Sequence, residues 1–593
     1  MRHPALRQAR ALDQWLGDPG DPDTICSTAR ILDLDDRETF PEDICSALDD
    51  WGLHHYYVPR RHGGRLTDFE ELVHLVRIVA RRDLTVTIGH VKTYLGGVSA
   101  WLSALEDQAT GLAERILAGD QVAWALTEPA HGSDLLASEF VARPRPGGGY
   151  LVSGEKWLIN NATRGGVLCL LARTDPAGGP RGFSLLLVDK RRLPTGTWSC
   201  LPAEPTVGIR GADISGVRLH DAPIPHTALL GRPGSGVETV LRGMQLTRTL
   251  CAALSLGAAE HAVRIAVDFA ENRQTGHTPL TTLPGIRRQF AETFADLLLC
   301  EAITVVVARA AHTLTGEMSV LAPVVKYLVP TTTDTAVARL GKLIGARSFL
   351  LDVLDHGAFQ KIARDHRIVA IFDGSTVVNL NALIAQSPLL GRGYRRGRVD
   401  RGGLDAATTL APLPELVPAR LRLTARAGSS LLNDLPDTVE RVLREVNGRS
   451  EFGALSEQTS RLASVVDQLH ATLAATPPRP IRVPAADFDT AHRYTLCATG
   501  AACLRLWVDN RHRDTFVDDP LWWGAAWLRS ALARVLTALE GEAPPAPGTN
   551  GLDVTGGVVD EDAYESLVGE LLRRCACRAP LSLLTDPRDW GQP

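Results

Sequence analysis

The sequence lacks paired CxxC motifs: its ten cysteines are scattered, and only Cys575 and Cys577 stand close together. With no second cysteine pair and no spaced histidines to complete a ligand set, a zinc site is not expected, and no metal is. Isolated cysteines in a chain this long fit free thiols in a reducing cytoplasm, where the protein is expected to reside. Long apolar runs are also missing. None approaches 18 residues, and Ala302–Ala308 is bounded by Glu301 and Arg309, so a soluble protein is expected, with no membrane partner. Met1–Trp15 is somewhat basic but has no apolar segment, and Asp18, Asp21 and Asp23 follow, which disfavours a secretion signal. No charge sign dominates: a net charge of −5 gives no pull toward nucleic acid. Lysine is scarce beside arginine, which reads as codon bias. Aromatic residues make up only 5%, so each well-placed one is informative. No repeat recurs at a fixed period.

What is present is an ordinary globular composition, 45% hydrophobic and 22% charged, spread over 593 residues, too many for one core. Residues 1–120 read as helices, with Pro41–Trp51 opening one and Asp68–Val79 giving another at helical spacing. Between them Tyr57-Val58-Pro59 leads into a turn at His62-Gly63-Gly64. From Gln121 the texture changes to short apolar runs, Val122–Leu126, Val167–Leu171 and Phe183–Val188, punctuated by Gly, Pro and Asp. These predict a β-domain over 121–230, with a hairpin loop at Pro144–Gly149. Helical periodicity returns after Gly234-Ser235-Gly236, through Val237–Arg273 and Ile286–Leu314 to about Gln386. Gly391–Val417, rich in Gly, Arg and Pro, reads as a linker. Beyond it Ala419–Thr472 and Thr490–Leu539 are helical again, interrupted by loops at Pro477–Pro484 and Glu542–Gly551. The expected fold class is α+β, mainly helical, with units at 1–120, 121–230, 231–395 and 396–593.

The most informative segment is Trp124-Ala-Leu-Thr-Glu-Pro-Ala-His-Gly-Ser-Asp134. It predicts a strand running into a turn set by Pro129 and Gly132. The Thr127 and Ser133 hydroxyls and the turn's amides would converge on one side, which suits a flavin edge or a phosphate. A plain strand-to-loop transition with a Ser/Asp cap explains the same residues.

This segment resembles the first signature of the acyl-CoA dehydrogenase family, and further segments resemble the family in the same order. Gly154-Glu-Lys-Trp-Leu-Ile-Asn-Asn-Ala162 is similar to its second flavin segment. Gly234–Gly257, with Thr247-Arg248, is similar to its long helix beside the active site. Arg273 with Pro279-Leu280 and Pro284 follows, then Arg364-Asp365-His-Arg367 and Ile371-Phe-Asp-Gly-Ser-Thr376 as a closing motif. Tyr57-Val-Pro, Gly63-Gly64 and Arg82-Asp83 resemble its N-terminal helical domain. The resemblance covers about residues 40–390.

The resemblance implies a helical domain, a β-domain and a four-helix bundle, followed here by an extra helical C-terminal domain, with FAD between sheet and bundle. It implies that a carboxylate removes an α-proton from an acyl thioester while flavin N5 takes the β-hydride. By the same resemblance Leu126 and Thr127 meet the flavin, and Ser133 lies near the pyrophosphate and the thioester. Asn160 stands where the family has Thr or Ser near N5, and Leu158 where an aromatic packs on the ring. Ser375 belongs with the cofactor, and Gly374, Thr247 and Arg248 with the substrate. Arg273 and Gly345 are implied to reach the FAD of a neighbouring subunit. Relatives with comparable extensions imply a homodimer.

Three departures stand out. The base is implied to be Asp373, where most relatives carry Glu. Aspartate is one methylene shorter, and a retreat of about an angstrom can cost on the order of 100-fold. Its residue-level alternative is a carboxylate capping the following helix. The other position at which relatives carry a base is Thr247, which cannot serve. Gly276-His277 replaces the usual Phe-Gly. Trp157 reads as a strand-face residue, and His131 and His356 as loop residues. The expected function is FAD-dependent α,β-dehydrogenation of an acyl thioester on coenzyme A or a carrier protein, with electron-transfer flavoprotein or oxygen as acceptor. The alternatives are a nitroalkane-oxidase-like oxidase with an aspartate base, a monooxygenase, or a silent FAD-binding homologue.

Overall fold

The computed structural model describes residues 3–477, 483–517, 519–541 and 560–585. The two predicted interruptions at Pro477–Pro484 and Glu542–Gly551 fall largely outside these residues. Six helices come first: α1 (Leu6–Leu16), α2 (Thr28–Asp36), α3 (Glu42–Trp51), α4 (Phe69–Arg82), α5 (Leu84–Ser103) and α6 (Glu106–Leu117). Asp68 caps α4 by accepting from Glu70 N and Glu71 N, and Asp83 caps α5 by accepting from Val86 N.

Eight strands follow: β1 (Val122–Ala125), β2 (Val141–Pro144), β3 (Tyr150–Asn160), β4 (Val167–Arg173), β5 (Phe183–Asp189), β6 (Trp198–Leu201), β7 (Ile214–Ile224) and β8 (Leu229–Leu230). They form one sheet in the order β6-β7-β3-β2-β4-β5-β8, with β1 parallel to β4. The antiparallel β3–β7 pair slips register between Trp157 and Ile159, which leaves Leu158 bulged out of the ladder.

The chain then returns to helices α7 (Gly236–Asn272), α8 (Pro284–Thr313), α9 (Met318–Ile344), α10 (Leu354–Asp365), α11 (Thr376–Ile384) and α12 (Ser387–Arg395). The extension adds α13 (Arg401–Thr408), α14 (Ser430–Asn433), α15 (Leu435–Val446), α16 (Gly453–Ala475), α17 (Ala485–Asn510), α18 (Pro520–Trp523), α19 (Ala526–Glu540) and α20 (Glu561–Ala576). Only α7 is long and apolar enough to cross a membrane, among the described residues, and 89% of that window is buried inside the protein.

One apolar core runs through the N-terminal helices, the bundle and the extension, while a second sits within the sheet. The stretch expected to be a linker, 391–417, is built into the first core. It carries the end of α12 and all of α13, with Leu404, Ala407 and Leu410 buried. Arg309, 1% exposed, donates to the carbonyls of Ala406, Ala407, Thr409 and Ala411, so loop backbone that water would otherwise satisfy is satisfied from within. Gly96 lets α5 approach β1 closely: a Cβ there would stand 2.8 Å from Val122 O. That approach brings α5 against the edge of the sheet where the site forms.

Candidate functional site

A cavity of about 780 Å³ opens where β1, the β3 bulge, α5, α7 and the α10–α11 connection meet. That is large for a small-molecule site. α5 contributes Ile88, Lys92 and Leu95, spaced along one helical face. α7 contributes Met244 and Arg248.

The sheet side is built by residues 124–134 and 154–162. Thr127 donates its hydroxyl to Trp157 O at 2.6 Å, tying the loop after β1 to β3. Lys156 donates to Leu126 O at 2.9 Å and to Glu128 Oε1 at 2.7 Å. Burial lowers the Lys156 ammonium to about 8, against the pull of Glu128. Burial also opposes ionisation of Glu128, but Lys156 and Ser138 more than offset it and hold that carboxyl below its ordinary range. Glu128 further accepts from Glu139 N and Phe140 N, so it shapes the loop from beneath. Leu158 lies in the left-handed region, φ 55°, and is 44% exposed on the cavity wall. A branched apolar residue rarely adopts that conformation unless its surroundings impose it, as the bulge does here. Trp124 lines the same wall, and its buried Nε1 has no partner among the described residues.

Asp373 faces this wall from the turn before α11, with φ 55°, followed by Gly374 at φ 103°. The turn's carbonyls are held from three sides. Arg248 Nε donates to Asp373 O at 2.9 Å, Lys326 Nζ donates to Val369 O at 2.7 Å and to Gly374 O at 3.3 Å, and Asn379 Nδ2 donates to Gly374 O at 2.8 Å. Burial lowers the Lys326 ammonium to about 8 and the Arg248 guanidinium below its usual range. The cap of α11 is Ser375, accepting from Val378 N, so the Asp373 carboxylate is not spent on capping. Its contact is with Cys251, whose thiol lies 3.6 Å from Oδ2 and is pushed up to about 12 by burial and then by that carboxylate. A positioned carboxylate on an apolar cavity is suited to abstracting a proton from a bound molecule.

The cavity brings together Leu126, Thr127, Ser133, Leu158, Asn160, Arg248, Asp373, Gly374 and Ser375. Thr247 is wholly buried, with an unpartnered hydroxyl, and lines a small adjoining cavity with Lys92, Cys251 and Asp373. Arg273, on the exposed two-residue strand Gln274–Thr275's approach, and Gly345, where α9 ends, both lie away from the cavity. Trp157 lines the cavity and donates to Glu204 at 2.7 Å. Asp134 caps the short turn Leu135–Ala137, as the cap reading anticipated. Lys92, Glu128, Lys156, Lys326 and Phe372 carried no role in the sequence reading; Glu128, Lys156 and Phe372 lie inside the quoted motifs, and for Lys92 and Lys326 the rarity of lysine was the available signal.

Two other constellations are structural. Asp334, His366 and Ser255 form a relay, 2.6 Å and 2.8 Å, but Ser255 is fully buried and no substrate reaches it. His3, Glu70 and His74 cluster, yet Glu70 is already bonded to His3 at 2.7 Å and Arg309 at 2.6 Å.

Comparison with known proteins matches residues 123–222 to the model of the acyl-CoA dehydrogenase middle domain and residues 234–387 to that of the acyl-CoA dehydrogenase C-terminal domain. The mitochondrial short-chain specific acyl-CoA dehydrogenase of Homo sapiens is 27% identical over 369 residues, 61% of this chain and 85% of that one. An acyl-CoA dehydrogenase of Bacillus anthracis, solved with FAD, is similar in fold over 96% of this chain and 95% of its own, with TM-score 0.65 and 17% identity. A prolyl acyl carrier protein oxidase is similar in fold over 64% of this chain and 97% of its own, with TM-score 0.56 and 17% identity.

Proposed function

Because this chain belongs to the acyl-CoA dehydrogenase family of FAD-dependent oxidoreductases, we propose that it desaturates an acyl thioester between its α and β carbons, with Asp373 as the base. The observation that carries this reading is the Asp373 carboxylate facing the Thr127–Leu158–Asn160 wall across one cavity.

The residues present fit FAD. Leu126, Leu158 and Ile214 give a flat aromatic ring apolar surface, Trp124 Nε1 is a buried donor in need of an acceptor, and Ser133 and Ser375 bring hydroxyls to the same cavity. When bound, the flavin supplies the acceptor for two electrons and a hydrogen. The rest falls to this chain. Asp373 takes the α-proton onto its carboxylate. Arg248 and Lys326 hold the turn that carries it, so the carboxylate is presented without reorganisation. Ile88, Leu95 and Phe372 exclude water from the acyl portion. Arg273 and Gly345, away from this cavity and exposed, are assigned to the FAD of a second copy in a cytoplasmic homodimer; sedimentation of the yellow protein as a dimer checks that assignment.

The test is anaerobic. Acyl thioesters, on coenzyme A and on a carrier protein, are expected to bleach the flavin of the wild-type protein. Asp373→Asn is expected to stay yellow and bleach about 10²- to 10⁴-fold more slowly. Bleaching at the wild-type rate removes Asp373 from the reaction. Oxygen uptake with a nitroalkane, without bleaching by any thioester, replaces the reading by an oxidase.

A further inference from the structure

The sequence holds six lysines, and five of them are buried: Lys92, Lys156, Lys190, Lys326 and Lys361. Four of these five are bound by oxygen. Lys156 meets Leu126 O and Glu128, Lys190 meets Ala162 O and Thr163 O, Lys326 meets Val369 O and Gly374 O, and Lys361 meets Thr85, Asp83 and Asp365. Lys92 is different. It is 8% exposed, and among the described residues it has neither an ion pair nor a hydrogen bond. Its ammonium sits over the ring of Phe372, 3.8 Å from the centroid. A ring face attracts the charge but accepts none of the ammonium's three N–H donors as an oxygen would.

The position of Lys92 shows what completes it. On α5 it stands between Ile88 and Leu95, one turn from each, in the stripe that faces the cavity. Phe372, beneath its ammonium, immediately precedes Asp373. Thr247, Leu250 and Cys251 of α7 close the adjoining space. A chain that otherwise uses arginine for nearly every cation has placed a lysine in the apolar wall beyond the base. An all-hydrocarbon acyl group would seal that ammonium against methylenes, with two other cations, Lys326 and Arg248, nearby and already engaged.

Resting on the function proposed above, we infer that Lys92 is a specificity-determining residue, and that the preferred acyl group carries a carboxylate which Lys92 receives. The Asp373 side pulls the α-proton while the far end of the acyl group is anchored on α5. Anchoring both ends fixes the α-carbon relative to the base, which a short aspartate needs more than a longer glutamate would.

The experiment uses the full-length yellow protein and pairs of coenzyme A thioesters of equal chain length, one ending in a methyl group and one in a carboxylate. Anaerobic flavin reduction gives kcat/KM for each. The wild-type protein is expected to favour the carboxylate of its best pair by about 100-fold. Lys92→Met is expected to collapse or invert that ratio, and Lys92→Arg to keep most of it. A wild-type preference for the methyl series overturns the inference, as does a Lys92→Met protein that slows both series by the same factor. If Lys92→Met does not accumulate as yellow protein, the wild-type ratio and Lys92→Arg decide. Failure of every thioester to reduce the wild-type flavin sinks the underlying function instead, and is distinguishable.

Discussion

Moving a carboxylate by one methylene is a small change with a calculable effect. Asp373 is held from behind by Arg248 and Lys326, so its backbone cannot slide forward to compensate for a different side chain. Asp373→Glu is therefore expected to push the carboxylate about an angstrom too far and to slow flavin reduction on the order of 100-fold, while flavin content stays normal. Stopped-flow reduction with the best thioester measures it; reduction as fast as wild type shows that the turn yields. The place of Asp373 on the cavity was legible because Phe-Asp-Gly-Ser is a local pattern. The residues that hold it were not legible. Lys326 lies over 40 positions earlier on another helix, and nothing near it in the sequence says that its ammonium ends on Val369 O. Lys92 is hidden for the same reason: no local pattern around it in the sequence says that it lines the cavity.

Elements of the first 390 residues were legible where they carry a pattern of their own: helical spacing in Asp68–Val79 and short continuous apolar runs in β1, β4 and β5, which are buried on both faces. The extension was read less well. Glycine, arginine and proline between 391 and 417 suggested an exposed tether, whereas Arg309 and the buried Leu404 and Leu410 weld that stretch to the bundle. A second weld has a pH signature. Glu317, 7% exposed, accepts from Ser430 N at 2.7 Å and Ser430 Oγ at 2.5 Å, and burial raises its carboxyl to about 7. A carboxyl raised on folding contributes stability below its unfolded value near 4.5 that is lost as pH rises through about 7. Glu317→Gln keeps the shape and removes the charge. Its thermal midpoint is expected to fall less than that of wild type between pH 5 and pH 8, a difference on the order of 3 kcal/mol at most. Parallel wild-type and variant curves would show that Glu317 does not titrate in this window.

At the scale of the whole molecule, the helices of the N-terminal part, the bundle and the extension meet around a buried charge cluster. Arg77 pairs with Glu301 at 2.5 Å and Glu260 at 3.1 Å, and it also donates to Leu581 O at 2.9 Å. Leu583 N and Ser582 Oγ complete Glu301, and Trp522 Nε1 donates to Leu583 O. Arg77→Met leaves two buried carboxylates short of a partner and is expected to lower stability by about 3–5 kcal/mol in urea unfolding. A loss below about 1 kcal/mol would mean that Arg81 and Arg264 suffice for Glu260 and that water reaches Glu301.

The contact between Arg77 and Leu581 spans 504 positions of the chain. During synthesis at about 5–20 residues per second, Arg77 leaves the ribosome roughly half a minute to a hundred seconds before its carbonyl partner does. Once made, Glu260 waits 321 residues for Leu581 N and Glu301 waits 281 residues for Ser582 Oγ, so both carboxylates stand in a half-made core without their last donors. The buried charge cluster is therefore completed only when Leu581–Leu583 has been made, and ribosome-bound chains that stop before Leu581 are expected to remain open to protease at α4 and α8.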